Sequence, residues 1–205
     1  MRSALRGAFM VACVSATLAA AQEVPKAELF GGYSFLQGDP RTTNGFTSQG
    51  WDAAVTSNVN RWLGVEVNFS DHYGTSAQDL EVLSVSPAAG PFAYTPRFTF
   101  LAGPHFSLRS ASRVTPFVHA LFGGVQGKAT TLSTDVPCGP AISPCSVSKS
   151  QTAFDMEFGG GLDLKATRHI SIRVIEGDYQ RADFGGNPQN DVRISAGIVF
   201  TLGKR

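Results

Sequence analysis

The stretch GWDAAVTSNVNRWLGVEVNFS, residues 50–70, decides the fold. Apolar side chains take alternate places: Trp51, Ala53 and Val55, then Val59, then Leu63, Val65, Val67 and Phe69. Between them stand Asp52, Ala54, Thr56 and Asn58, then Gly64, Glu66, Asn68 and Ser70. A period of two is that of a β-strand, whose successive side chains point to opposite faces. Only Asn60 and Arg61 remain for a turn, so the stretch reads as a hairpin of two long strands.

The same alternation recurs along the chain. Strands are predicted over 27–36, the two arms of the hairpin, 95–108, 116–125, 152–164, 169–179 and 191–202. In 152–164, Phe154, Met156, Phe158, Leu162 and Leu164 alternate with Asp155, Glu157, Gly159, Gly161 and Asp163. In 191–202, Val192, Ile194, Ala196, Ile198, Phe200 and Leu202 alternate with Arg193, Ser195, Gly197 and Thr201. The strand over 169–179 breaks step after Val174. A bulge at Ile175 would return Glu176 and Asp178 to the side of Arg173 and set Tyr179 among the outward aromatics. Connectors alternate between short (60–61, 109–114, 165–168) and long (37–49, 71–94, 126–150, 180–189), so the two kinds lie at opposite ends of the strand set.

Eight up-and-down strands close into a barrel, which removes open edges. The expected fold class is therefore all-β, an eight-stranded antiparallel up-and-down barrel. A soluble lipocalin-like barrel would turn its apolar parity inward around a ligand; a membrane barrel turns it outward into lipid. Strands of about ten residues suit a tilted crossing of the bilayer core. Charges of both signs share the non-apolar parity. Asp52, Glu66, Arg97, Asp155, Glu157, Asp163, Arg173, Glu176 and Arg193 form a candidate charge network in the lumen. An Arg facing lipid at midplane would cost about 2–4 kcal/mol, so the charged parity belongs inside. Aromatics near strand ends (Tyr33, Phe35, Trp51, Trp62, Phe69, Tyr94, Phe117 and Tyr179) are expected in interfacial girdles.

The N-terminus reads as an export signal over residues 1–21. Arg2 and Arg6 precede an apolar run and the small residues Ala19, Ala20 and Ala21, so the mature chain is expected to start at Gln22 and to form one domain over 22–205. In an exported chain the remaining pair in CGPAISPC suggests a disulfide between Cys138 and Cys145. The formal net charge is +1, with 17 basic and 16 acidic residues, which gives no basic patch for nucleic acid.

The segments NRWLG, FLAGPHFSLR, VTPFVHALFG and RISAGIVFTL resemble the small bacterial outer-membrane barrels of the OmpA-like type. The resemblance spans nearly all of 22–205. It implies an outer-membrane location, multi-pass, with lipid as surroundings. Some members of that family carry a C-terminal peptidoglycan-binding domain; none is expected here after the eighth strand. The resemblance also implies a terminal assembly signal read by the barrel-insertion machinery, carried here by Ser195, Gly197, Phe200 and Leu202. The chain departs from that pattern by ending in Gly203-Lys204-Arg205 instead of an aromatic residue.

No catalytic site, cofactor or metal is expected. The paired acids of DMEFGGGLD suit an Arg-bonded network better than acid/base work. The Gly-rich runs lack the spacing of a phosphate loop. His169, Ser171 and Glu176 invite comparison with outer-membrane lipid A deacylases, but Glu176 lies roughly 20 Å from His169 along a strand. The expected function is a monomeric barrel with a structural or surface-interaction role, whose long loops meet an extracellular partner. The rivals are a narrow pore for ions or small solutes, and a soluble ligand-binding barrel.

Overall fold

A computed structural model describes residues 24–38, 47–73, 97–110, 112–133, 145–184 and 187–203. The strands are β1 (Ala27–Gly38), β2 (Thr47–Asn58), β3 (Leu63–Tyr73), β4 (Arg97–Ser107), β5 (Val114–Ser133), β6 (Cys145–Lys165), β7 (Ile170–Phe184) and β8 (Asn187–Leu202). They pair antiparallel in chain order, and β1 pairs with β8 from Ala27↔Leu202 to Gly38↔Asp191, closing the barrel. Closure gives each strand two paired neighbours, as a spanning sheet needs where no water can satisfy the backbone.

Burial runs opposite to that of a soluble domain. Among the described residues 23 polar or charged side chains are buried against ten apolar ones. Val55, Val65, Phe100, Phe122, Phe158, Ile194 and Ile198 all lie on the outside. An apolar sheath around a polar interior is the arrangement in which lipid replaces water as the outer solvent. Phe69 and Phe100 pair across β3 and β4 at 5.1 Å, and Phe122 and Phe158 across β5 and β6 at 5.7 Å.

Four elements differ in extent from the sequence reading. The first turn takes Val59–Trp62 rather than Asn60–Arg61 alone. The backbone N–H groups of Val59 and Asn60 both donate to Leu63 O, at 2.9 and 3.1 Å. Asn60 Oδ1 accepts from the N–H of Trp62 (2.9 Å) and Leu63 (2.8 Å), so the asparagine side chain completes the turn. The β6–β7 turn uses Thr167 likewise: its Oγ1 accepts from the N–H of His169 and Ile170 at 3.3 and 3.1 Å. Far from the short turns, β5 and β6 stay paired from Val114↔Leu164 to Ser133↔Cys145, so the connector read over 126–150 is largely strand. The connector read over 180–189 shrinks to 185–186 between β7 and β8. Polar composition alone hid both extensions, because a strand beyond the lipid has no apolar face to betray it.

The bulge in β7 spans Val174 and Ile175. Leu162 pairs with Ile175 while Asp163 pairs with Arg173, and the β7–β8 register slips between Arg173 and Glu176. Both bulged side chains face outward, and Glu176, Asp178 and Gln180 turn into the lumen with Arg173. Without the extra residue these three polar side chains would meet lipid.

Candidate functional site in the barrel lumen

The lumen is filled in layers. At the short-turn end Arg109 Nη2 donates to Glu28 Oε2 at 2.7 Å and to Asn58 Oδ1 at 3.0 Å. Its Nη1 donates to the carbonyl of Arg61 at 3.0 Å, tying the turns after β2 and β4 together.

Above it, the guanidinium of Arg173 lies between two rings, 4.3 Å from the centre of Phe30 and 4.1 Å from that of Phe117. It donates to Asp163 at 2.9 and 3.3 Å and to Glu176 at 3.1 Å. Two aromatic faces and two carboxylates thus hold one cation. Phe117 is therefore a lumen residue and not part of a girdle. It shares the parity of His119, and its ring stacks on His105 at 5.0 Å.

The next layer joins Glu66 to two histidines. His105 Nδ1 lies 2.5 Å from Glu66 Oε2, and Thr56 Oγ1 donates to the same oxygen at 3.3 Å. His119 Nδ1 lies 3.3 Å from Glu66 Oε1, and its Nε2 lies 3.0 Å from Asp178 Oδ1. Gly159 makes room here: a Cβ at that position would fall on the Asp178 carboxylate.

At mid-height Arg193 reaches across from β8. It donates to Glu157 at 2.7 Å and to Asp178 at 3.0 Å through Nε, with Asp52 at 3.5 Å. Nη1 adds Ser70 at 3.2 Å and Asn68 at 3.4 Å. Asp52 also accepts from Asn68 (2.8 Å) and Ser195 (3.2 Å). Near the long-loop end Arg97 bonds Asp155 at 3.2 Å and also Asp191. Leu36, Leu101, Leu121 and Val125 fill the space between these polar layers.

The nine charges named from sequence thus fall into four groups. Arg97 meets Asp155; Arg193 meets Asp52 and Glu157; Arg173 meets Asp163 and Glu176; Glu66 pairs with histidines instead of with an Arg. The sequence reading put Asp178 on the lumen side through the bulge but left it out of the charge network, and it missed Gln180, Asp191 and His72 as lumen members, and Phe30, Leu101 and Leu121 as lumen filler. Parity held the signal for the leucines: Leu101 stands between Thr99 and Gly103, and Leu121 between His119 and Gly123. Gln180 and His72 sit at strand ends that polar composition assigned to connectors, whereas Asp191 opens the strand read over 191–202 on the parity of Arg193.

Of the terminal residues, Ser195 is buried and donates to Ser34 and Asp52, while Phe200 and Leu202 face outward. Gly197 lies against the backbone of Gly31 and Gly32 at the closing seam, where a Cβ would clash. His169 is exposed beside the β6–β7 turn, and Glu176 is bonded to Arg173. Residues 1–21 and Cys138 lie outside the described residues, as do Tyr94 and the side chain of Cys145.

Two solved structures share the fold. Ail, the attachment invasion locus protein of Yersinia pestis, aligns with a TM-score of 0.53 and 17% identity, covering 86% of this chain and 99% of that one. Neisserial surface protein A (NspA) aligns with a TM-score of 0.53 and 11% identity, covering 86% and 97%. The N-terminal β-barrel domain of Pseudomonas aeruginosa OprF aligns at 0.46 with 8% identity, covering 88% and 100%. No curated protein matches the sequence. The family pattern named outer membrane protein beta-barrel domain matches residues 7–202, which bears out both the OmpA-like resemblance and the outer-membrane location. By its closed eight-stranded barrel and by that match, the chain belongs to the outer membrane protein beta-barrel domain family.

Proposed function

We propose that this barrel works at the outer surface of the cell, as a structural element that presents its long-loop end to an extracellular partner, and that it neither conducts solute nor catalyses a reaction. The observation that carries this reading is the set of bonded layers across the lumen. Arg173, Arg193 and Arg97 each reach carboxylates from other strands at successive heights. An eight-stranded barrel has an interior only wide enough for its side chains.

The β5–β6 ribbon supports the surface role. A tilted bilayer crossing takes about 9–11 residues per strand. β3 and β4 have 11 each, whereas β5 has 20 and β6 has 21. The surplus extends roughly 30 Å along the strand direction beyond what a crossing uses. Ail is named for attachment and invasion; a shared fold alone does not carry that activity here, but a projecting end suits a contact role. The proposed organisation is a signal over 1–21 and one monomeric barrel over 22–205, delivered to the insertion machinery by its last strand. A Cys138–Cys145 bridge would staple the loop that the ribbon carries.

Planar-bilayer recordings of purified, folded protein test the reading. It requires the absence of steady single-channel steps; regular steps that vanish with heat-unfolded protein would make the narrow pore the better description. A ribbon deletion, 128–150 replaced by a two-residue turn, is expected to fold and insert while losing surface-dependent binding of cells.

A further inference from the structure

We infer that the lower-middle lumen is a binding site for one divalent transition-metal ion of the zinc type, held by Glu66, His105 and His119. These residues come from β3, β4 and β5, and one ligand atom from each lies within 4.8 Å of the other two. All three side chains are buried. The donor set, two imidazoles and a carboxylate, is one that zinc takes with a water in the fourth place. Magnesium and calcium prefer oxygen ligands and suit it poorly.

A second observation points the same way. Glu66 Oε1, His119 Nδ1 and Glu176 Oε1 are all buried and, among the described residues, have no partner in hydrogen-bond geometry. Yet they converge: His119 Nδ1 lies 3.3 Å from Glu66 Oε1 and 3.8 Å from Glu176 Oε1. Buried acceptors left facing one another are costly unless something positive lies between them. Ligand atoms around a tetrahedral zinc, each about 2.0–2.2 Å from it, stand roughly 3.3–3.6 Å apart. The His119–Glu66 pair has that spacing at 3.3 Å, and a ligand atom of His105 lies within 4.8 Å of both.

The groups behind the ligands fit as well. With His119 in the tautomer that donates its Nε2 proton to Asp178 Oδ1, at 3.0 Å, the Nδ1 lone pair points toward Glu66. A carboxylate behind a histidine is the usual support of a metal-bound imidazole. The His105 ring is fixed by stacking on Phe117. Its contact with Glu66 Oε2 gives way to the ion on binding. The charge balance also leaves room for a cation. Seven buried carboxylates (Asp52, Glu66, Asp155, Glu157, Glu176, Asp178 and Asp191) face three buried arginines and three histidines. An ion here would tie the adjacent strands β3, β4 and β5 together on the lumen side, a brace that the surface role does not require.

The test uses untagged full-length chain with Cys13→Ser, Cys138→Ser and Cys145→Ser, refolded into detergent with Zn²⁺ and then gel-filtered in metal-free buffer. About one zinc per folded chain is expected, along with the visible absorption of a four-coordinate site when Co²⁺ replaces it. Glu66→Gln and His119→Gln are expected to weaken retention by more than the roughly tenfold to hundredfold loss seen for supporting residues. His72→Gln, higher in the lumen, is expected to retain the ion. Heat-dependent gel mobility identifies the folded fraction of each variant. If a ligand variant does not fold, the Co²⁺ spectrum and displacement by Zn²⁺ but not by Mg²⁺ in the parent chain decide. Folded parent chain that emerges free of zinc, or folded Glu66→Gln and His119→Gln that hold it equally well, would overturn the proposal and leave a proton between His119 and Glu66.

Discussion

Replacing Arg193 by methionine probes the energetics of the filled lumen most sharply. Its guanidinium is fully buried and lies within 3.5 Å of three carboxylates, those of Glu157, Asp178 and Asp52. Removing one member of a buried ion pair costs about 3–5 kcal/mol, because the partner stays buried and charged. Three partners do not triple that figure. Asp52 keeps its bonds from Asn68 and Ser195, and Asp178 keeps its contact with His119. Glu157 loses most, retaining Gln180 as donor and His119 at 3.6 Å. The expected loss is therefore about 3–5 kcal/mol in all. It would be read from reversible urea unfolding of the barrel in phospholipid vesicles, followed by tryptophan fluorescence of Trp51 and Trp62. Adding Glu157→Gln to the methionine variant is expected to restore about 1–3 kcal/mol, the range of coupling between residues in one network. A loss below about 1 kcal/mol for Arg193→Met, with no coupling to Glu157, would mean that lumen water screens these charges as it does on a surface, and would refute the reasoning.

Four further outcomes are expected. Deleting Ile175 removes the extra bulge residue and turns Glu176, Asp178 and Gln180 toward lipid; the chain is expected to lose its heat-modifiable folded band, and a normal folded yield would contradict the register. Phe117→Ala takes one ring from Arg173 and leaves a cavity in the lumen; a destabilisation of about 3–5 kcal/mol is expected in the same unfolding assay. If the layer at Arg173 is a constriction, Phe30→Ala combined with Phe117→Ala should also give measurable planar-bilayer current where the parent chain gives none. Mass spectrometry of the exported chain is expected to find Gln22 first and a mass lower by two hydrogens than the reduced form, as one disulfide requires.

The barrel was legible in the sequence because period-two alternation needs no tertiary knowledge. Asp52, Glu66, Asp155 and Arg193 each sit opposite an apolar neighbour, and lipid makes that contrast steep. Where lipid ends, the signal ends with it. The upper halves of β5 and β6 pair through their backbones, and their mixed polar sequence reads like a loop. Gln180, within a strand that runs on to Phe184, was left out of the lumen set for the same reason. Composition also cannot tell which aromatic faces inward. Phe117 looks like any interfacial ring until His105 and Arg173 are seen against its two faces. The grouping of charges was hidden too. Arg193 meets Asp52, Asn68 and Ser70 from more than 120 residues away in the chain, a contact fixed only by closure of the barrel.

The direction of the two strand faces is tested most directly by nitroxide labels at Val65, Phe158 and Ile194, one on each of β3, β6 and β8, all half-exposed on the apolar parity. In vesicles, lipid-dissolved oxygen should relax all three labels while a water-soluble nickel chelate leaves them largely unaffected. Relaxation by the chelate and protection from oxygen at these positions would place the apolar parity away from lipid and contradict the membrane barrel.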